Sequence, residues 1–229
     1  MAEIALAEPT ATASADPTLD ELRVLLAPAI ADAAVFDGWT REAVAMAAEQ
    51  EGHDPDVARL AFSEGKMQMV EAWVASVDAA MLAAYSQEDL AALKVRERIR
   101  TLVWFRLEQA EGREEALRRA PAIMALPQNA PRALRLGWHS ADLMWRLAGD
   151  VATDYNHYTK RAILSALYAA TLAVFVDDRS EGKAETRAFL DRRLDGVMRF
   201  EKIKARLLGG QRDGFSVMRF LGRLRYPER

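Results

Sequence analysis

Residues 18–63 read TLDELRVLLAPAIADAAVFDGWTREAVAMAAEQEGHDPDVARLAFS, and the punctuation of that stretch decides the fold. Thr18-Leu-Asp-Glu21 has the spacing of a capping box, in which hydroxyl and carboxylate each satisfy a free N–H of the first turn; it opens a helix to about Val35, with Pro28 as its weak point. Thr40 is placed to cap a second helix to Gln50, closed by Gly52. Asp54-Pro55 supplies a cap followed by proline at the first helical position, starting a short third helix through Phe62. Three short helices with a glycine-containing turn between the second and third make a helix-turn-helix pattern.

Beyond this head the chain stays helical. Apolar residues recur every three or four positions and no clean alternation of period two appears. Helices are expected over 64–84, 87–111 (Ser86 and Asp89 forming its cap signal), 113–125, Pro131 to Gly149, Thr153 to about Val176, and 184–208, after which Gly209-Gly210 loosens the chain. The expected fold is all-α. It divides into a tail (1–17), a helix-turn-helix-like head (18–63), a larger helical bundle (64–208) and a basic C-terminal segment (209–229).

Composition narrows the function. With 229 residues, 51% hydrophobic and 28% charged, and only 12 Gly and 8 Pro, the chain is globular, and collagen-like or mucin-like classes are excluded. It has no cysteine, so disulfide scaffolds, thiolate metal sites and thiol catalysis are excluded too. Its three histidines, at 53, 139 and 157, are too few for an imidazole-rich metal centre, and none has Glu three residues before it, as a di-iron bundle requires. No phosphate-binding or nucleophile-elbow string occurs. His139-Ser140-Ala-Asp142 holds triad residue types, but neighbours one apart on a helix diverge. The expectation is a binding protein without cofactor or metal, not an enzyme.

Residues 1–17, MAEIALAEPTATASADP, carry no basic residue and so resemble neither a signal peptide nor a mitochondrial presequence; they read as a disordered tail of a bacterial cytosolic protein. The longest uncharged run, Ala162 to Val176, falls short of the roughly 20 residues a spanning helix needs.

A helix-turn-helix head followed by a bundle suggests a ligand-responsive transcriptional regulator of the TetR type. Charge argues against it. Residues 18–63 hold Arg23, Arg41 and Arg59 against nine acidic residues, net −6, a surface that phosphate repels. The third helix, PDVARLAF, offers base edges little beyond one Arg and one Asp. No nucleic-acid partner is therefore expected.

Residues 138–161, WHSADLMWRLAGDVATDYNHYTKR, hold a mixed aromatic and charged set. Trp138, Asp142 and Trp145 share one helix face, and Asp154, His157, Tyr158 and Arg161 share a face of the next helix. The spacing fits an interface hot spot, but taken alone it favours Trp residues in a core with Asp154 serving a helix N-terminus. The blocks AGDVATDYNHYTKR and FLDRRL, with FDGWT at 36–40, resemble the coenzyme Q accessory family commonly called Coq nine, in its bacterial branch, over roughly residues 18–207. The resemblance implies a TetR-like fold without DNA binding, a homodimer, and an isoprenoid quinone intermediate or phospholipid bound within the bundle in support of ubiquinone synthesis. It implies a partner, the demethoxyubiquinone hydroxylase, docked on Asp142, Met144, Trp145, Asp154, His157, Tyr158 and Arg161. His157 stands where mitochondrial members carry Trp.

Three further features bear on that implication. The helices over 64–84 and 87–111 supply Met67, Trp73, Val77, Met81, Trp104, Phe105 and Leu107, facing Trp138 and Leu143: a lining for an apolar ligand, or simply a core. The Ala-rich run 162–176, apolar most of the way round, needs cover on several sides, which a dimer built from it and 184–208 would give. Residues 199–229 carry nine basic against three acidic residues, net +6, although the whole chain is −3. Within them Arg212, Arg219 and Arg223 form a stripe beside Phe215, Val217, Met218, Phe220, Leu221 and Leu224: a helix for an anionic membrane surface, or one packed on protein. With the resemblance, the expected place is the cytoplasm, peripheral to the bacterial inner membrane.

Overall fold

The computed structural model describes residues 17–152 and 155–209, the last ten as backbone only. All regular structure among them is helical. The head consists of α1 (Leu19–Asp37), α2 (Arg41–Gln50) and α3 (Pro55–Ala61). Thr18 and Glu21 form the expected capping box, and Thr40 and Asp54 cap α2 and α3 through the N–H groups of Ala43 and Asp56. Pro28 sits within α1 without ending it.

The bundle comprises α4 (Lys66–Ala84), α5 (Gln87–Ala91), α6 (Val95–Glu108), α7 (Glu114–Met124), α8 (Ala130–Leu147), α9 (Tyr155–Asp177) and α10 (Ala184–Gly209). The single helix expected over 87–111 is two. The chain breaks at 92–94, where Arg98 gathers three carbonyls: its guanidinium donates to Ala91 O at 2.9 Å, Leu93 O at 2.8 Å and Ala148 O at 2.8 Å. Those bonds replace helical ones and pin the start of α6 to the end of α8.

The FDGWT motif fastens head to bundle. Gly38 takes φ +72°, which ends α1, and Trp39 then turns inward, donates to Ala116 O at 3.1 Å and packs on Trp73 with ring centroids 5.5 Å apart. Arg119 of α7 donates to the carbonyls of Ala34 and Phe36 at 3.1 and 3.3 Å. One buried core therefore runs without interruption from Leu22 in α1 to Leu194 in α10.

The turn between α9 and α10 is held by Asp178. Its carboxylate accepts from Ser180 N and Thr186 N, both at 2.8 Å, and from both hydroxyls of those residues. Desolvation at this buried site works against the charged form, but the four donors outweigh it and hold the carboxyl far below the usual carboxylate range. The 23-residue α9 has a mean hydropathy of 1.3 over its most apolar window, so the whole helix is long and apolar enough to cross a membrane, although its uncharged run alone is too short. Here it packs instead along α7, α8 and α10.

Candidate functional site

Helices α8 and α9 run antiparallel. Ser165 Oγ bonds to Gly137 O at 3.1 Å and Arg161 O at 2.9 Å, Arg161 pairs with Asp142, and Trp145 Nε1 donates to Lys160 O at 3.0 Å. Three features follow one another along this pair. At the end nearest the start of α8 is an apolar groove of about 700 Å³, walled by α7, by Ala133 and Leu134 of α8, and by Leu172, Ala173 and Val176 of α9. Sharing Leu117, Ala120, Met124, Ala169 and Leu172 with it is an inner cavity of about 160 Å³, which reaches between Val70, Trp73 and Val77 of α4 and Leu136, Gly137 and Ser140 of α8. One helical turn past Ser165, about 6 Å at 1.5 Å per residue, Arg161 begins a surface patch.

A buried polar cluster sits at the cavity. Arg106, 2% exposed, forms an ion pair with Asp78 of α4 and donates to Ser140 Oγ at 3.1 Å, while Ser140 Oγ bonds to Asp78 at 3.3 Å. The Arg106 guanidinium lies 5.1 Å from the centre of the Tyr168 ring. Its Nε–H is buried and has no hydrogen-bond acceptor among the described residues.

The patch is a charged framework with an aromatic cover. Arg161, also 2% exposed, ties Asp142 on α8 to Asp150 in the connecting turn, the latter at 3.1 Å, and donates to His157 O at 3.0 Å. Lys160 pairs with Asp150 at 2.6 Å and Arg146 with Asp142 at 2.7 Å. Burial raises both carboxyls, but the hydrogen bonds from Arg161 and Lys160 and the attraction of these cations prevail and hold both below their ordinary values.

Over this framework, Trp138 packs on Tyr158 with centroids 5.9 Å apart and His157 meets Tyr158 edge-on at 5.1 Å, its Nδ1 bonded to Ala152 O. Lys160 Nζ lies 5.3 Å from the Trp145 ring centre. Tyr158, Tyr155 and Val151 are the most solvent-open apolar side chains here, at 60, 75 and 90%.

The sequence-predicted residues divide accordingly. Of the expected lipid lining, Trp73 and Val77 border the cavity. Met67, Met81 and Leu107 are buried in the core away from both hollows, and Leu143 is half-buried on α8. Trp104 bonds to Glu108 at 2.6 Å beneath Arg187, Phe105 packs edge-on against Tyr85, and Trp138 belongs to the patch. Periodicity marked these side chains as inward-facing but could not say which inward positions are left short of filling atoms.

Of the expected docking residues, His157 and Tyr158 meet at the surface, Trp145 lies along the same helix pair against Lys160, and Asp142 and Arg161 tie the two helices beneath. Met144 corrects the expectation: it is fully buried, because it faces the core one position away from the exposed side of α8, and it can only support the patch. Asp154 lies outside the described residues, as do Arg212, Phe215, Val217, Met218, Arg219, Phe220, Leu221, Arg223 and Leu224. The triad-like string disperses as expected: Ser140 is buried on Asp78 and His139 is exposed. Among the described residues, no three Asp, Glu or His side chains are grouped to hold a metal ion.

The reading of the sequence missed Asp78, Arg106, Ser140 and Tyr168. A signal was there: Asp78 interrupts the apolar row of Val74, Val77 and Met81, and Arg106 interrupts that of Leu102, Val103 and Leu107. Lone opposite charges on two inward faces call for each other. Tyr155 was also missed, although it shares a face with Tyr158 at i and i+3.

An all-α bundle with a helix-turn-helix head and an apolar hollow among its later helices defines a TetR-like class. The crystal structure of the TetR transcriptional regulator from Nitrosomonas europaea ATCC 19718 shares this fold, with a TM-score of 0.59 and 21% identity over 77% of this chain and 96% of that one. The COQ9 family model matches residues 130–201, the segment that holds α8, α9 and the patch. The ubiquinone biosynthesis protein COQ9, mitochondrial, of Rattus norvegicus is 34% identical over 70% of this chain and 54% of its own length; that of Homo sapiens is 32% identical over 70% and 52%. The Drosophila melanogaster protein of the same name is 28% identical over 83% of this chain and 60% of its own. The chain is thus similar to COQ9 proteins, and the match to that family's model lies in residues 130–201. It spans about half the length of the mammalian relatives it matches.

Proposed function

We propose that this chain is a non-enzymatic, lipid-binding accessory protein of ubiquinone biosynthesis, which takes up a polyprenyl quinone intermediate and presents it to the demethoxyubiquinone hydroxylase. One observation carries the reading: groove, inner cavity and aromatic patch lie in succession along α8 and α9, so that a tail in the groove directs the head of the same molecule towards the patch. The names of the mitochondrial relatives supply the pathway. Burial at about 25 cal/mol per Å² gives an isoprenoid tail several kcal/mol in such a groove, enough to draw it from a membrane surface and still release it.

The hydroxylase docks on Trp145, His157, Tyr158 and Tyr155, with Asp142, Arg161 and Asp150 fixing the angle between the two helices. The exposed Ala162 and Ala166 of α9, with α10, form the homodimer face. The basic segment after 209 touches anionic lipid, which places the protein in the cytoplasm at the inner membrane. The head makes no contact with nucleic acid: α3 exposes Asp56, Val57, Arg59 and Leu60, and Arg59 is paired with Asp56 at 2.6 Å.

Trp145→Ala with Tyr158→Ala tests the reading. The pair is expected to abolish co-purification with the hydroxylase while bound lipid is unchanged; full association would overturn it. Mobility shifts on the upstream DNA at about 0.15 M salt, where phosphate contacts are already weakened, test the rival regulator reading, which requires tight, sequence-selective binding.

A further inference from the structure

The head has a face that the proposed function leaves unused. In helix-turn-helix proteins the second helix of the motif is the one laid in the DNA groove. Here that helix, α3, exposes Val57 and Leu60, and the adjoining α2 exposes Met46, at 43, 60 and 49%. Met46 stands between Glu42 and Glu49 at i, i+4 and i+7 on one face of α2. Glu42, Glu49 and Glu51 are exposed and have no ion-pair partner among the described residues, Asp54 caps α3, and Arg59 is taken by Asp56. Residues 41–61 thus hold five acidic side chains against Arg41 and Arg59, net −3. An apolar centre with an acidic rim repels nucleic acid and anionic lipid, and it repels a second copy of itself as well. What it suits is a cationic apolar segment.

The chain supplies one. Residues 210–229 carry five Arg against Asp213 and Glu228, net +3, interleaved with Phe215, Met218, Phe220, Leu221 and Leu224. They are also long enough to return to the head. The start of α10 lies beside it, since Lys183 pairs with Glu114 at 2.9 Å and the adjoining Arg113 pairs with Asp32 of α1 at 2.6 Å. The 26 residues of α10 carry the chain at most about 39 Å from there, at 1.5 Å each. Extended at about 3.3 Å each, the residues after Gly209 reach up to about 66 Å. We propose that residues 210–229 dock on the α2–α3 face of their own chain, arginines against Glu42, Glu49 and Glu51 and apolar side chains on Met46, Val57 and Leu60, so that the segment is withheld from the membrane until anionic lipid competes for the same arginines. Only the release step rests on the membrane reading of this segment; the contact itself does not.

The chain has no cysteine, so Ser216→Cys places a single thiol on the segment for a fluorophore, whose anisotropy in the full chain reports docking. Met46→Ser combined with Leu60→Ser removes exposed apolar area while leaving charge and core alone, and should lower the anisotropy. Raising the salt from about 0.1 to about 1 M, which shortens the screening length from about 10 to about 3 Å, should lower it too, with the head unaltered. Dilution should not, because the contact lies within one chain. Anisotropy indifferent to the double substitution or to salt would overturn the contact, and a signal lost on dilution would show a contact between chains and overturn the internal one. The salt response decides the matter even if the double variant fails to fold. Vesicles of phosphatidylcholine with phosphatidylglycerol test the release step. With the docked form at about nine-tenths, the parent should bind them about tenfold more weakly than the double variant, since only the open fraction is competent. Equal affinities would overturn the gating. Vesicle binding by neither protein would overturn the release step together with the membrane reading of the segment, while the anisotropy still decides the contact.

Discussion

Filling the cavity should stabilise the protein and disable it at once. Gly137 sits inside α8 at the cavity wall, and a Cβ placed there meets nothing within 4 Å. Replacing glycine in a helix interior gains about 1 kcal/mol from backbone entropy alone. Burying a Leu side chain in the hollow adds about 1.5 kcal/mol or more, less roughly 0.5 kcal/mol of lost rotamer freedom. Gly137→Leu should therefore raise the stability of the lipid-free protein by about 2 kcal/mol, or roughly 4–8 °C in Tm for a chain of this size. Gly137→Ala takes only the first part of that gain and leaves room for a ligand. The assay is thermal unfolding with and without a short-tailed quinone at about one hundred times its Kd, where a bound ligand contributes about 2.7 kcal/mol. The parent and Gly137→Ala should show that ligand shift and Gly137→Leu should not. A Leu variant that is less stable than the parent yet keeps the ligand shift would refute the argument, since it would mean that the hollow is not where the ligand sits.

The framework under the patch gives further predictions. Arg161→Met leaves Asp142 and Asp150 without their buried cation and should cost about 3–5 kcal/mol in a urea melt; a cost under about 1 kcal/mol, the range of an exposed pair, would show that the patch does not depend on it. Gly149 takes φ +83°, and a Cβ there would stand 3.1 Å from an Arg98 nitrogen, so Gly149→Ala should cost about 1–2 kcal/mol, read by the same melt; a neutral result would place the αL turn in doubt. Asp178→Asn weakens the cap on α10 and should cost about 1 kcal/mol at neutral pH. Because the folded carboxyl is held below its unfolded value of about 3.9, its contribution is fully present above that pH and fades as pH falls through the folded value. The difference between parent and variant should thus be level from about pH 8 to about pH 5 and shrink in stronger acid; a difference that grew with acid would reverse the sign of the argument.

Much of the fold was legible in the sequence because its signals are local. Thr18 with Glu21, Thr40, and Asp54 with Pro55 start helices through atoms only a few residues away, and the structure keeps all three caps. The break at 92–94 was not legible, since it depends on Arg98 reaching the Ala148 carbonyl fifty positions on. The patch was legible in part, as Trp145, His157 and Tyr158 follow helical spacing, but Met144 next to them faces the other way and lies in the core. The cavity was the least legible. Met67, Met81 and Leu107 have the same apolar character as Trp73 and Val77, and only the packing of α7 against α8 and α9 determines which of them borders open space. A hollow is a shortage of atoms summed over several helices, and no single stretch of sequence records it.

The central claim, that this bundle holds a prenylated quinone precursor, is most directly tested by mass spectrometry of lipids extracted from protein purified without detergent. The account predicts a neutral ring compound with an isoprenoid tail, present in the parent protein and lost from Gly137→Leu. Protein that carries no lipid, even after incubation with membranes rich in such precursors, would contradict it.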